Sequence, residues 1–268
     1  MDRRNEKDFM GSREARFGIY QIKPGTAGVE YCFMGMDFVK RKNFEICKEH
    51  YGLVYQDALK AFDSVETIFE RFNLERPEDF RGHSLSVSDV VVFKEGDRCC
   101  AYYIDTVGAV YLPDFYKTGK EKARDAADCP KDVLDLYTRV PGSRWKMDEE
   151  KVRLDIHSYS SNGNIAIELI SVSPDGEEEP FCNLTTNLGV QLPLYCAYVD
   201  TNHLPEAEKF IQDNNLGKYS GFSGSSGYCT YPMYLFNEER LAELCPSGLA
   251  QYKADMGITE ERKIRKGR

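Results

Sequence analysis

The chain has 268 residues, 41% hydrophobic and 12% aromatic, which suffices for real cores and excludes wholesale disorder. Its formal net charge is −9, and Arg262-Lys-Ile-Arg-Lys-Gly-Arg268 contributes +5 of basic charge, so the preceding body carries about −14. A body of that sign repels phosphate backbones, which excludes nonspecific nucleic-acid binding outside the basic tail.

Residues 1–16 read as a polar N-terminal tail. Phe17-Gly-Ile-Tyr-Gln-Ile22 has strand propensity, and Val29–Met34 is expected to pair with it across the Pro24-Gly25 turn. Residues 36–50 fit either a short helix or an excursion before a strand over 52–55. Asp63, with Glu66 three residues on, predicts a capped helix with Val65, Ile68, Phe69 and Phe72 on one face. Pro77 ends it. Strands are expected over 85–93, 99–105 and 109–112, with Glu95-Gly96-Asp97 as a hairpin turn.

Residues 117–150 shift in composition. Lys117–Asp128 and Lys131–Arg139 predict two helices, and 142–150 a connector in which Trp145 docks onto a domain. Alternation then returns over Val152–His157 and Ile165–Val172, joined through Asn162-Gly163. Strands are expected over 181–188 and 194–199, and a helix over Pro205–Asn215 with Gly217 as its αL cap. A glycine-serine loop over 220–227, a strand over 228–236, a short helix over 238–244 and a C-terminal tail over 246–268 complete the chain. The fold class that results is α+β. Two small domains, 17–116 and 151–245, are each expected to be a mainly antiparallel sheet with one or two packed helices.

Residues 17–22, Ile68-Phe-Glu-Arg-Phe-Asn73 and Asp79-Phe-Arg-Gly-His-Ser-Leu-Ser-Val-Ser-Asp-Val90 resemble the YodL-like family. Residues 150–244 resemble a second uncharacterised domain family, through Asp200-Thr-Asn202 and Ser226-Gly-Tyr-Cys-Thr-Tyr-Pro-Met-Tyr234. These resemblances imply an accessory role in a conjugative element, plasmid or phage, often near antirestriction genes. They imply no reaction, cofactor or catalytic residue.

Four constellations could carry chemistry. The first is His83 with Ser84, Ser86, Ser88 and Asp89, since a serine nucleophile needs a base within hydrogen-bond reach. In an extended strand the three serines share one face and His83 alternates away from Ser84. Satisfying backbone groups at a turn therefore competes with catalysis as their role. The second is the loop carrying Ser223, Gly224, Ser225, Ser226 and Gly227, whose backbone N–H groups could contact an anion or peptide. It lacks a P-loop lysine and does not fit G-x-S-x-G.

The third joins Asp200 and His203 to Cys229 and Cys196 as a Cys–His site, against the reading of a helix cap and buried thiols. The fourth is an acidic stripe over two helices, Glu121, Asp125, Asp128, Asp132 and Asp135, either a solvated face or a surface for a basic partner.

The nine cysteines form no C-x-x-C and include the adjacent pair Cys99-Cys100, so neither a disulfide framework nor a zinc site of common spacing is expected. No cofactor or metal is called for. No apolar run of signal-peptide or membrane-spanning length is visible, and the protein reads as cytoplasmic. The expected function is protein binding, with a host defence nuclease as the specific partner. The rival readings are an enzyme using His83/Ser84 or His203/Cys229, and a DNA-processing partner using the basic tail.

Overall fold

The computed structural model describes residues 3–258, except the side chains of 123 and 126–128. It divides into two compact α+β units, one of residues 1–128 with 139–147 and one of residues 129–138 with 148–268.

The first unit opens with α1 (Glu6–Gly11), whose first amides bond the Asn5 side chain. Phe9 on α1 is fully buried, and Arg3 pairs with Asp57 and Asp79, so the described part of the expected N-terminal tail, from Arg3 on, is a packed part of this unit. There follow β1 (Arg16–Ile22), α2 (Met36–Arg41), β2 (Tyr51–Ala58) and α3 (Val65–Leu74). β3 (Val90–Glu95), β4 (Arg98–Ile104), β5 (Ala109–Tyr111) and α4 (Gly119–Asp128) complete the elements. The strands form one antiparallel sheet, ordered β2-β1-β3-β4-β5.

Both faces of this sheet are covered, and the two-residue period of a strand sorts its side chains between them. Phe17, Ile19, Val91 and Phe93 face a core with Ile68 and Phe72 of α3, and Trp145 stacks on Phe93 there. Tyr20, Val90, Val92 and Tyr103 face the other core, with Phe9 and with Met36 and Val39 of α2. Each fully buried side chain of this size contributes roughly 1.5–3 kcal/mol.

Several local expectations are corrected in this unit. Val29–Met34 does not pair as a strand, because Ala27–Tyr31 winds into a 3-10 turn. The cap of α3 is Ser64 with Thr67, while Asp63 accepts from the Lys60 amide and pairs with Arg71. The strand expected over 85–93 begins only at Val90, since Ser88 takes φ 79° and Asp89 folds back onto Ser86.

In the second unit, β6 (Leu134–Arg139), β7 (Met147–Ser158), β8 (Ile165–Val172) and β9 (Glu178–Asn183) form a four-stranded sheet in that order. The helix expected over Lys131–Arg139 is thus a strand: Leu134 and Leu136 are buried while Asp135 and Tyr137 are half-exposed, a period of two. The 142–150 connector shrinks to a turn, with β7 starting at Met147.

Next come β10 (Thr185–Thr186), β11 (Cys196–Val199), α5 (Ala207–Asp213), β12 (Gly217–Ser226) and β13 (Cys229–Phe236). These four strands make a second sheet, ordered β10-β11-β13-β12. α6 (Glu238–Leu244) and α7 (Pro246–Asp255) follow, and Leu249 and Tyr252 of α7 are buried in the unit's single core. A Cβ on Gly248 would lie 2.5 Å from the Ile156 carbonyl, so α7 packs tightly on β7 and is no tail. The basic end, 262–268, lies outside the described residues.

The glycine-serine segment over 220–227 is strand β12, paired with β13 from Gly217↔Phe236 to Ser226↔Cys229. Its glycines are demanded by packing. A Cβ on Gly224 would meet the Tyr198 ring and Leu188 at 2.7 Å, and Gly221 takes φ 85° where the register shifts between Tyr219 and Ser223.

Candidate functional site

Gln21 continues the face of Phe17 and Ile19 to the end of β1, and there it meets the turn over 82–89. Its Oε1 accepts the His83 amide at 3.1 Å, while Nε2 donates to the His83 carbonyl at 2.9 Å and to Asp89 Oδ2 at 3.0 Å. That approach needs Gly82, since a Cβ there would lie 2.4 Å from Gln21 Oε1. Asp89 Oδ2 also accepts the Ser86 amide at 2.9 Å, and Oδ1 faces His83 Nε2 at 3.6 Å.

The carboxyl is 2% exposed, and burial pushes it up to about 7 against the opposing influence of His83. His83 Nδ1 lies 2.7 Å from the Ser84 carbonyl, which can only accept, so Nδ1 carries a proton. His83 therefore engages the backbone of Ser84 through Nδ1, while Nε2 faces Asp89 Oδ1. Ser86 Oγ donates to the Ser84 carbonyl, and Ser88 Oγ accepts the Phe33 amide. These groups close a turn. Among the described residues no serine hydroxyl is hydrogen-bonded to the His83 ring, as a nucleophile–base pair would be.

In the second unit Asp200, at the end of β11, accepts the His203 amide on Oδ1 at 3.1 Å and His203 Nδ1 on Oδ2 at 2.8 Å. The His203 side chain is 80% exposed and its Nε2 points to no described partner. This tautomer is the one a general base needs. The nucleophile is what the site lacks. Cys229 lies beside Tyr231 and helps raise its phenol, burial raises the Cys196 thiol, and neither cysteine is hydrogen-bonded to His203 among the described residues. Cys182 near Asp200 is pushed up to about 11, first by burial and then by that carboxylate.

The acidic stripe is dispersed over a helix, a turn and a strand. Glu121 closes a capping box with Thr118 at the start of α4, and Asp125 pairs with Lys117 at 3.0 Å. Asp132, in a turn, pairs with Arg153, and Asp135, on β6, with Lys151. The Asp128 side chain lies outside the described residues. Asp125, Asp132 and Asp135 are thus paired with cations of their own chain, while Glu121 is spent on the helix cap.

The β12–β13 hairpin presents a different surface. β12 is a sheet edge, and along the hairpin Tyr219, Phe222 and Tyr228 are 52, 68 and 108% exposed. The register shift between Tyr219 and Ser223 interrupts the edge ladder beside Phe222, and Tyr228 follows the turn at Gly227. Ser223, Ser225 and Ser226 are exposed between the aromatics, whereas Gly224 is filled by Tyr198 and Gly227 forms the turn at φ 59°. From Tyr219 to Asn237 no residue is charged.

One concave site lies in the first unit, a cleft of about 280 Å³ floored by Met36, Val39, Phe44, Ile46 and Phe115. Its rim carries Lys122 paired to Glu45 at 2.6 Å. None of the residues singled out from the sequence lines it. Among the described residues no three His, Cys, Asp or Glu side chains converge as metal ligands, and no helix is long and apolar enough to cross a membrane. Gln21 is the site residue that sequence reasoning passed over; its only local signal is to be the polar residue in an apolar strand.

Residues 16–115 match the YodL-like domain, and residues 153–256 match a domain of unknown function (DUF4313). The second match takes in α7. No curated protein and no solved structure matches the chain.

Proposed function

We propose that this chain, a YodL-like domain followed by a DUF4313 domain, is a cytoplasmic accessory protein of a mobile element that acts by binding another protein. Counter-defence against a host nuclease or restriction system is the specific version, drawn from the mobile-element setting that the family resemblance implies. The observation that carries the binding reading is the β12–β13 hairpin. It is a sheet edge on an acidic protein, free of charge from Tyr219 onward, and it displays Tyr219, Phe222 and Tyr228 to solvent. Exposed aromatics on a rigid strand are the usual anchors of interfaces, where truncating one costs about 2 kcal/mol or more of binding. The engagement of His83 Nδ1 by the Ser84 carbonyl weighs in the same direction.

The test is cross-linked capture from host cells with the natural chain and with a Phe222→Ser/Tyr228→Ser variant. A defence or conjugation protein recovered with the natural chain is expected to fall at least about tenfold with the variant, at unchanged melting temperature. Equal recovery by both, or recovery of no such protein, overturns the reading. The enzyme alternative rests on His203, whose exposed Nε2 and Asp200-held Nδ1 suit a base. It gains if His203→Gln abolishes the biological effect while capture persists.

A further inference from the structure

The contacts around Asp89 allow a count of protons. Oδ2 accepts two hydrogen bonds, from the Gln21 amide at 3.0 Å and the Ser86 backbone N–H at 2.9 Å. Gln21 Nε2 has two hydrogens, and the His83 carbonyl takes the other, so its 3.1 Å approach to His83 Nδ1 donates nothing. Nδ1 instead donates to the Ser84 carbonyl. Every other donor is spent, yet Nε2 and Oδ1 still face each other at 3.6 Å. Without a proton between them, a nitrogen lone pair would confront a buried carboxylate oxygen.

We infer that the His83–Asp89 pair holds one proton where Nε2 faces Oδ1 across 3.6 Å, as an ion pair, and that this pairing latches the 83–89 turn to β1 and to the loop at 32–34. Ser88 carries the second half of the latch. Its hydroxyl accepts the Phe33 amide at 2.9 Å, and its carbonyl accepts the Tyr51 hydroxyl at 3.0 Å. The Phe33 ring sits 5.5 Å from the His83 ring, and Phe33 takes φ 63°, a strained conformation that these contacts must hold.

The other titratable groups facing Asp89 are the Cys32 thiol and the Tyr51 and Tyr103 hydroxyls, all raised by burial and further by Asp89. On the outer side Arg76 donates to the Gly82 carbonyl at 2.6 Å. Among the described residues His83 is the ion-pair partner of Asp89, so no fixed cation can compensate when the proton leaves. On deprotonation the imidazole, already 43% exposed, swings out and frees Phe33 beside exposed Val29 and Met34. The latch opens with alkali.

The test is a pH 5–9 titration of the full chain followed by NMR, reading the Ser86 amide, which reports Asp89 Oδ2, and the Phe33 amide, which reports Ser88. Both are expected to shift together with one midpoint near neutrality. In Asp89→Asn the shifts should vanish, since the carboxamide keeps the Ser86 and Gln21 bonds without titrating. In His83→Gln the Ser86 midpoint should move up, because the group that favours the ionised carboxylate is gone. A Ser86 amide that is flat from pH 5 to 9 in the natural chain overturns the pairing. A Phe33 amide that stays fixed while Ser86 titrates overturns the latch.

Discussion

Two histidine–carboxylate pairs, one in each unit, are built from the same groups and do opposite things with them. His83–Asp89 buries its carboxyl, turns one ring nitrogen to the backbone and the other to that carboxyl, and ties three segments together. Asp200–His203 keeps its pair within four residues of chain and leaves the imidazole 80% exposed. A carboxylate beside a histidine therefore has no fixed meaning. What decides is how many donors the fold brings to the carboxylate, and how much water it removes.

The largest expected effect breaks the first pair sterically. Gly82→Ala puts a methyl group 2.4 Å from Gln21 Oε1 and 2.8 Å from the Phe80 ring. Gln21 must withdraw and leave Asp89 without one of its donors. Unfolding free energy should fall by about 3 kcal/mol, combining overpacking with lost buried hydrogen bonds. Chemical denaturation checks this, and a loss below about 0.5 kcal/mol would show that Gln21 is not held where the contacts place it.

The second effect is electrostatic. Burial raises Asp89 to about 7 in the folded chain, so the folded state binds more protons than the unfolded one between the ordinary carboxylate range and neutrality. The stability linked to Asp89 is then fully present below about pH 4 and is lost as pH rises through about 7. The natural chain minus Asp89→Asn difference should decline over that window by a few kcal/mol, at most ~1.4 kcal/mol per pH unit. Urea melts of both proteins at several pH values read it directly. A difference that grows with pH would mean that Asp89 is held as an anion, and would overturn the role given to its burial.

The legibility of these regions in the sequence follows the range of the interactions that form them. α3 was visible because Val65, Ile68 and Phe72 repeat at helical spacing, a property of ten contiguous residues. The 83–89 turn drew attention because its histidine, serines and aspartate are neighbours. Its geometry depends on Gln21, 62 residues from His83, and no local pattern announces that contact. β6 read as a helix because Lys131 and Asp132 suggested a charged helical run, although Leu134 and Leu136 already alternate. The glycines of β12 suggested a loop, since what requires Gly224 is the ring of Tyr198 on another strand.

The smallest effect on stability falls on the exposed pair, and its smallness gives it value. His203→Ala removes a ring that water already surrounds, so the melting curve should shift by less than about 0.5 kcal/mol of unfolding free energy. His83→Ala, by contrast, removes the partner of a buried carboxyl and should cost a measurable amount below neutral pH, where the latch is closed, and little above it. If His203→Ala is instead as costly as His83→Ala, the Asp200 turn is a structural keystone and the enzyme alternative loses its base. If it is silent in stability and in partner capture, the imidazole is an ornament of the turn. Loss of biological effect with stability and capture both intact would make His203 the residue that acts, and reduce the hairpin to the means of delivery.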